Sequence, residues 1–150
     1  MRVLFVCLGN ICRSPSAEAV LRAQLESAGL ADRIEVDSAG TGSWHIGSAP
    51  DRRAIAVGRR RGYALSNLKA RQLQPGDLRS FDLVLDMDRD NLQDIKAIAS
   101  PDASADIDLF LGRYGIGDGQ VPDPYYGDEC DFERVFDLVE QGCQALLNEL

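Results

Sequence analysis

The 150-residue sequence has little of what marks membrane, exported or nucleic-acid-binding proteins. It has no run approaching the roughly 20 apolar residues that span a bilayer. Its apolar start gives way to Gly9 and Asn10 too soon for a secretory signal peptide, so we expect a soluble, cytoplasmic protein without a membrane partner. The net charge of −8 supplies no basic field to displace counterions, so no nucleic-acid partner is expected.

Cysteine, lysine and histidine are also scarce. Four cysteines are too few for a disulfide scaffold, and a chain with 45% hydrophobic residues can close its own core. Lys69 and Lys96 are each followed by alanine, which excludes the Gly-Lys-Ser/Thr of a nucleotide P-loop. The single histidine, His45, is predicted to be exposed rather than catalytic.

Short apolar runs alternate with helical periodicity along the chain. Strands are predicted at residues 3–6, 34–36, 82–85 and, more weakly, 107–109. Helices are predicted from Pro15 to Gly29, over 51–61, over about 89–99, and from a cap at Asp128 or Asp131 to Leu150. The alternation predicts an α/β three-layer sandwich with a four-stranded parallel sheet in the order 2-1-3-4, like half of a flavodoxin. Without repeats or linkers, residues 1–150 are expected to form one domain.

Residues 7–15, Cys-Leu-Gly-Asn-Ile-Cys-Arg-Ser-Pro, connect the first strand to the first helix. Free backbone N–H groups and the helix dipole at such a connection favour an anion. Gly9 and Asn10 tolerate left-handed backbone angles, which lets successive N–H groups face one concavity. Arg13 offers a planar, charged fork to two oxygens of a tetrahedral dianion. The segment after strand 1 is therefore predicted to be a phosphate loop.

Cys7 is the candidate nucleophile of this loop. The helix N-terminus and Arg13 favour its thiolate, and Ser14 is near enough to donate a hydrogen bond to the sulfur. A bare Cys-x5-Arg pattern is equally compatible with an apolar cysteine and a solvated arginine. The preceding strand, the internal Gly-Asn and the following Ser-Pro favour the functional interpretation. Cys143 is predicted to lie in the core, and Cys130 has no assigned partner.

Residues 7–15 resemble the signature of the low-molecular-weight protein tyrosine phosphatases. Residues 123–127, Asp-Pro-Tyr-Tyr-Gly, resemble the general-acid loop of that family, and they too precede the last helix. Intermediate blocks at 37–41, 70–72, 81–88 and 91–92 are similar as well. The resemblance therefore extends over nearly the whole chain and includes two separate catalytic motifs.

The resemblance implies a phosphotyrosine phosphatase that uses no metal or cofactor. It implies that Cys7 attacks phosphorus, Arg13 binds the phosphoryl oxygens, and Asp123 protonates the leaving tyrosyl oxygen and then activates water. A leaving phenolate needs this acid because its conjugate acid has a pKa of about 10. The implied substrate-binding residues are Leu8, Gly9, Asn10, Ile11, Cys12 and Ser14 in the loop and Trp44, Tyr125 and Tyr126 in aromatic walls, with Ser38 as a supporting residue.

The resemblance also carries expectations about partners and regulation. Phosphotyrosine proteins are the implied substrates, phosphate or other oxyanions the implied loop ligands, and the chain is expected to be a monomer or weak dimer. Tyr125 and Tyr126 are implied phosphorylation sites, which would make a tyrosine kinase a further partner. Cys12 is implied to form a reversible disulfide with Cys7.

One position departs from the family. Many members have a histidine just before Lys69, in the hydrogen-bond network that holds the loop asparagine and serines. Leu68 occupies that position here. We therefore expect the fourth member of the Asn10–Ser14–Ser38 network to be absent or replaced.

Three alternative functions fit parts of the sequence less well. An apolar strand ending in Asp86-Met87-Asp88 resembles magnesium-dependent aspartyl hydrolases, but Asp90 stands where they need Thr or Val, and Asp88 fits a helix cap better. A thiol-coupled arsenate reductase needs further cysteines, and none occurs between Cys12 and Cys130. A phosphotyrosine-binding module without turnover is disfavoured by the joint presence of the three implied catalytic residues.

Overall fold

The computed structural model describes all residues, 1–150. Its four strands are β1 (Arg2–Cys7), β2 (Glu35–Gly40), β3 (Leu83–Asp86) and β4 (Asp106–Leu109). They form one parallel sheet in the order β2-β1-β3-β4, which confirms the predicted fold class and strand order. The carboxyl ends of the strands therefore lie at one edge of the sheet, where ligands bind in open α/β folds.

Six helices connect and cover the strands. They are α1 (Arg13–Ser27), α2 (Arg52–Arg60), α3 (Asp77–Ser80), α4 (Arg89–Ile98), α5 (Phe110–Arg113) and α6 (Glu129–Asn148). The four longer helices were predicted, whereas α3 and α5 are single turns too short for a periodic signal. Helix α1 begins two residues before Pro15, whose missing N–H is tolerated throughout the first turn.

The two faces of the sheet carry separate apolar clusters. Val3 and Phe5 of β1 point into the larger cluster, with α1, α2 and α6. Leu4 and Val6 point to the other face, into a smaller cluster that includes Ile95 of α4. Because β1 is buried on both faces, its side chains need no polar alternation. The arrangement is the predicted three-layer sandwich.

Helix α6 is capped by both acidic residues that the sequence suggested. The side chain of Asp128 accepts a hydrogen bond from the N–H of Cys130 at 3.0 Å, and Asp131 accepts one from the N–H of Asp128 at 2.9 Å. This reciprocal pair is a capping box. Cys143 lies on the apolar face of α6 and is buried in the core as predicted. None of the helices has both the length and the apolar character needed to span a membrane.

Strand β2 extends well beyond the predicted residues 34–36. It pairs with β1 in register from Arg2 opposite Glu35 to Cys7 opposite Gly40. An apolar pattern does not predict this extension, because Asp37 and Ser38 have polar side chains. The register places Ser38 and Gly40 beside the end of β1, directly under the loop that follows Cys7.

Candidate active site

The loop between β1 and α1 is anchored at its start by the chain that follows β2. The N–H groups of Thr41 and Gly42 donate to the carbonyls of Cys7 and Leu8, each at 2.9 Å. The N–H groups of residues 8, 9, 11 and 12 donate to no acceptor in the protein. These four groups and the N-terminus of α1 form an anion-binding surface at the carboxyl edge of the sheet.

Asn10 supplies the one left-handed backbone conformation in the loop. Its φ is 56°, whereas Gly9, the other residue of the loop that tolerates such angles, has no positive φ. The side chain of Asn10 stabilises the turn by donating to Ser14 Oγ at 2.8 Å and Ser38 Oγ at 3.0 Å. Its Oδ1 accepts from the N–H of Arg71 at 3.0 Å.

Two glycines matter here for their lack of a side chain. A Cβ on Gly9 would lie 3.0 Å from Cδ2 of His45, and a Cβ on Gly40 would lie 2.8 Å from the carbonyl oxygen of Leu8. Gly40 thus lets β2 approach the loop backbone closely. His45, predicted to be exposed, is half-buried because its ring packs against Gly9.

The sulfur of Cys7 has two polar neighbours. Ser14 Oγ lies 3.0 Å from it, and the N–H of Asn10 donates to it at 3.3 Å. Both contacts stabilise negative charge on the sulfur when the hydroxyl is the donor. The predicted proximity of Ser14 to Cys7 is therefore present.

The guanidinium of Arg13 is buried and held by a residue that the sequence analysis did not assign to the site. Its Nη1 donates to Asp88 Oδ2 at 2.6 Å and to the carbonyl of Val121 at 3.0 Å. Burial works to lower the pKa of Arg13, but the charges of Cys7 and Asp88 outweigh it and raise the pKa. The predicted helix cap is also present, since Asp88 Oδ1 accepts from the N–H of Asn91 at 2.8 Å.

A cavity of about 420 Å³ opens over the loop. Its lining brings together Cys7, Leu8, Gly9, Ile11, Cys12, Arg13, Trp44, His45, Asp123, Tyr125 and Tyr126. Asp123 Oδ2 lies 3.8 Å from Arg13 Nη2, so the two motifs separated in sequence meet here. Asn10, Ser14 and Ser38 lie behind the lining and support it. Among the lining residues, His45 is the one that sequence reasoning did not assign to the site.

Comparison with known proteins places this geometry in a family. The sequence profile described as low molecular weight phosphotyrosine protein phosphatase matches residues 2–150. The chain belongs to this family. A low molecular weight protein-tyrosine-phosphatase of Streptomyces coelicolor is 45% identical, over 97% of this chain and 91% of its own length. The low molecular weight phosphotyrosine protein phosphatase of Homo sapiens is 42% identical, over 98% and 94% respectively.

The fold comparison agrees with the sequence comparison. A crystal structure of a protein tyrosine phosphatase from Entamoeba histolytica superposes with a TM-score of 0.93 at 39% identity. The match covers 99% of this chain and 96% of that one. The sheet order and the loop after β1 are thus those of the low-molecular-weight tyrosine phosphatases.

The aromatic walls of this family member are strongly exposed. Trp44 is 72% exposed, and its ring lies over Gly42, where a Cβ would come within 1.9 Å of it. Tyr126 is 96% exposed and packs edge-on against Tyr125, with ring centroids 5.0 Å apart. Trp44 and the two tyrosines line the same cavity, where they offer aromatic surfaces to a ligand.

The network behind the phosphate loop is completed by Glu18, a residue that the sequence analysis did not consider. Ser38 Oγ donates to Glu18 Oε1 at 2.7 Å, and Glu18 Oε2 accepts from Arg22 Nη2 at 2.7 Å. Leu68, in the position of the family histidine, packs against the core instead. Glu18 is therefore a further member of the network, and its carboxylate anchors Ser38. Glu18 follows Ser14 by four residues and so lies on the same face of α1, and this spacing is the sequence feature that indicates a shared network.

The second cysteine of the loop differs from the first in its environment. Burial, and next the charge of Asp51, raise the pKa of Cys12, so it stays a protonated thiol at neutral pH. Both Cys7 and Cys12 are buried. Cys12 therefore does not compete as a nucleophile.

Proposed function

We propose that this tyrosine phosphatase hydrolyses phosphotyrosine through a covalent phosphocysteine at Cys7. The observation that carries the proposal is the meeting of Cys7, Arg13 and Asp123 in the lining of one cavity. A nucleophile, an oxyanion-binding cation and a proton donor are the groups that phosphate monoester hydrolysis by a thiol requires.

In the first step the Cys7 thiolate attacks phosphorus. The S–P bond forms, the P–O bond to tyrosine breaks, and the leaving oxygen takes a proton from Asp123. In the second step water attacks the phosphocysteine, Asp123 accepts its proton, and the S–P bond breaks to release phosphate and the thiolate. Ser14, 3.0 Å from the sulfur, stabilises the departing thiolate.

Arg13 and the loop amides act on the phosphoryl oxygens. The free N–H groups of the loop are available to the phosphoryl oxygens, and the planar fork of the guanidinium suits two oxygens at once. Such pre-oriented donors stabilise the charge of the transition state without reorganising during the reaction. Substrate binding is assigned to Leu8, Gly9, Asn10, Ile11, Cys12, Ser14, Trp44, Tyr125 and Tyr126.

The aromatic walls support phosphotyrosine as the substrate. The Cys7 sulfur is buried at the base of the cavity, and Trp44 and Tyr125 stand at its mouth. The tyrosyl ring is long enough to carry a phosphate past these walls, and it gains contact with them. The side chain of phosphoserine is shorter and has no ring to make these contacts.

Further expectations complete the proposal. The profile match over residues 2–150 supports one phosphatase domain spanning residues 1–150. We also propose a cytoplasmic location, phosphotyrosine proteins as substrates, a monomer or weak dimer, and no nucleic-acid or membrane partner. The exposure of Tyr126 supports a tyrosine kinase as a partner that modifies Tyr125 or Tyr126.

The rival chemistries are disfavoured by specific features. Asp86 is fully buried and Asp88 is bonded to Arg13, so neither carboxylate is free to attack as in the aspartyl hydrolases. Cys130 is exposed at the start of α6 and Cys143 is buried against Ala17 of α1, and neither lines the cavity. Beyond Cys12, no further thiol is therefore placed to continue a disulfide relay of the arsenate-reductase type.

The test is hydrolysis of phosphotyrosine and phosphoserine peptides in EDTA by the wild-type protein and by Cys7→Ser. We expect turnover of phosphotyrosine only, a phosphorylated Cys7 after acid quenching, and no turnover by the variant. Appreciable activity in Cys7→Ser, or wild-type phosphate release limited to a single turnover, would overturn the proposal. The second result would favour a binding module.

A further inference from the structure

Arg53 lies outside the lining of the cavity, yet it connects the two segments that form it. We propose that Arg53 is a positioning residue for Asp123, which it holds in place through the backbone of residues 123–127. The inference rests on the proposed role of Asp123 as the general acid, and it adds a determinant in α2 that neither catalytic motif contains.

The contacts to the acid loop are made with backbone carbonyls. Arg53 Nη1 donates to the carbonyl of Gly127 and Nη2 to that of Tyr125, both at 2.9 Å. No other hydrogen bond ties residues 122–127 to the rest of the protein. Within the loop, the N–H of Tyr125 donates to Asp123 Oδ1 at 3.1 Å. A displacement of Tyr125 therefore displaces the carboxylate of Asp123.

The other end of the connection reaches the phosphate loop. Arg53 Nε and Nη2 donate to the two oxygens of Asp51, at 3.1 and 3.0 Å. Burial works to raise the pKa of Asp51, but its hydrogen bonds with Arg53 lower it overall, so the pair stays ionised at neutral pH. The N–H of Asp51 donates to the carbonyl of Ile11 at 2.8 Å. Arg53 thus links the acid loop to the loop that carries Cys7.

Packing fixes the plane of the guanidinium. It lies over the ring of Phe132, 4.5 Å from the centroid, and 5.9 Å from that of Tyr125. Its three nitrogens serve four acceptors on two segments of the chain. Lysine has one nitrogen and no planar fork, so it can keep the charge but not this set of bonds.

The consequence for catalysis follows from the exposure of Asp123. Its side chain is 43% exposed, and the ion pair with Arg13 at 3.8 Å is too long to fix its direction. A general acid acts only within hydrogen-bond reach of the leaving oxygen. Without Arg53 the loop would sample a wider range of positions, and Asp123 would spend less time in the productive one.

The experiment measures kcat/KM for phenyl and nitrophenyl phosphate in Arg53→Met, Arg53→Lys and the matched control Arg52→Met. Arg52 is exposed on the same turn and makes no side-chain hydrogen bond or ion pair. We expect Arg53→Met to lower kcat/KM for phenyl phosphate by about tenfold or more. This is part of the roughly 10²–10⁴-fold rate enhancement that a general acid usually contributes. The kcat/KM for nitrophenyl phosphate should fall far less, because its leaving group needs less proton donation. Inhibition by inorganic phosphate should stay within about twofold of wild type, because the phosphate loop is intact.

A double-mutant cycle separates positioning from mere stability. Adding Arg53→Met to Asp123→Ala should cost little further rate on phenyl phosphate, because the acid that Arg53 positions is already gone. Equal losses on the two substrates, additive losses in the cycle, or parity with Arg52→Met would overturn the proposal. If Arg53→Met does not fold, Arg53→Lys carries the same comparison. Failure of the phosphocysteine test would contradict the proposed function. If the enzyme is active but Arg53→Met lowers kcat/KM equally for both leaving groups, only the role of Arg53 is contradicted.

Discussion

Asp88 and Arg13 form the shortest ion pair of the active site, with Asp88 Oδ2 2.6 Å from Arg13 Nη1. The other oxygen of the same carboxylate caps α4. One side chain thus attaches the phosphate-binding guanidinium to the start of a helix that follows β3. A buried arginine held in this way keeps its fork directed at the cavity without waiting for the ligand.

Replacing Asp88 tests this attachment. Asp88→Asn retains an oxygen for the helix cap but removes the nearer of the two ionic partners of the buried guanidinium and leaves only Asp123, at 3.8 Å. We expect the free energy of unfolding in urea to fall by roughly 1–3 kcal/mol and phosphate inhibition to weaken by about tenfold. Asp94→Asn, on the exposed face of the same helix, is the control and should change neither. Wild-type phosphate affinity in Asp88→Asn would show that Arg13 needs no such support.

The carboxylate of Glu18 is expected to be as important to the loop as the serines. Glu18→Ala leaves the buried hydroxyl of Ser38 without its acceptor, and we expect a loss of roughly 1–3 kcal/mol in stability. Phosphate binding should weaken too, since Ser38 orients Asn10. Ser38→Ala combined with Glu18→Ala should cost less than the sum of the single variants. The control Glu26→Ala removes an exposed carboxylate of α1, and additive losses would argue against a shared network.

The close approach of β2 to the phosphate loop predicts a strong effect at Gly40. In Gly40→Ala the new Cβ would lie 2.8 Å from the carbonyl oxygen of Leu8 and 3.1 Å from the N–H nitrogen of Asn10. Because both neighbours are backbone atoms, the loop itself must shift. We expect phosphate inhibition and kcat/KM to fall at least about tenfold while the far-ultraviolet circular dichroism is retained. Gly76→Ala, which meets Arg79 Nη2 at an ordinary 3.5 Å, should behave like wild type.

Asp86 predicts a pH dependence of stability. Both its carboxylate oxygens are buried without a partner, and burial, with the charges of Asp108 and Asp88, raises its pKa from 3.8 to about 8. Between these values the folded protein holds a proton that the unfolded chain has released. The contribution of Asp86 to stability is therefore complete below about pH 4 and is lost as the pH rises through 8.

The variant Asp86→Asn isolates this effect, because the amide has nearly the same shape and no charge to bury. We expect it to be more stable than wild type at pH 8 by on the order of a few kcal/mol, with the difference shrinking toward pH 4. Urea unfolding across this range measures the difference, and Asp94→Asn provides the baseline. A difference that does not vary with pH would mean that Asp86 is ionised in the folded protein.

Comparison of the predicted and observed elements shows where sequence patterns suffice. The buried strand before Cys7, the capping pair at Asp128 and the apolar face of α6 all involve local periodicity or contacts within one turn. Such features were predicted correctly because their causes lie within a few residues. The polar half of β2 was missed because Asp37 and Ser38 are in a strand only by virtue of pairing with β1.

The candidate site divides in the same way. The loop with Cys7 and Arg13 is contiguous, so its chemistry could be inferred from spacing and from the adjoining helix. Asp88, Glu18 and Arg53 carry no motif of their own. Each acts through a partner far along the chain: Asp88 through Arg13, Glu18 through Ser38, and Arg53 through residues 123–127.

By itself, then, the sequence determined the four strands, the four longer helices and the anion loop, because these depend on local pattern and residue chemistry. Its resemblance to the phosphatase family implied the class of reaction. The tertiary structure alone decided which carboxylate holds Arg13, which carboxylate anchors Ser38, and which arginine contacts the acid loop. Those assignments depend on distances between residues remote in the chain. Only the packing of the helices on the sheet sets such distances.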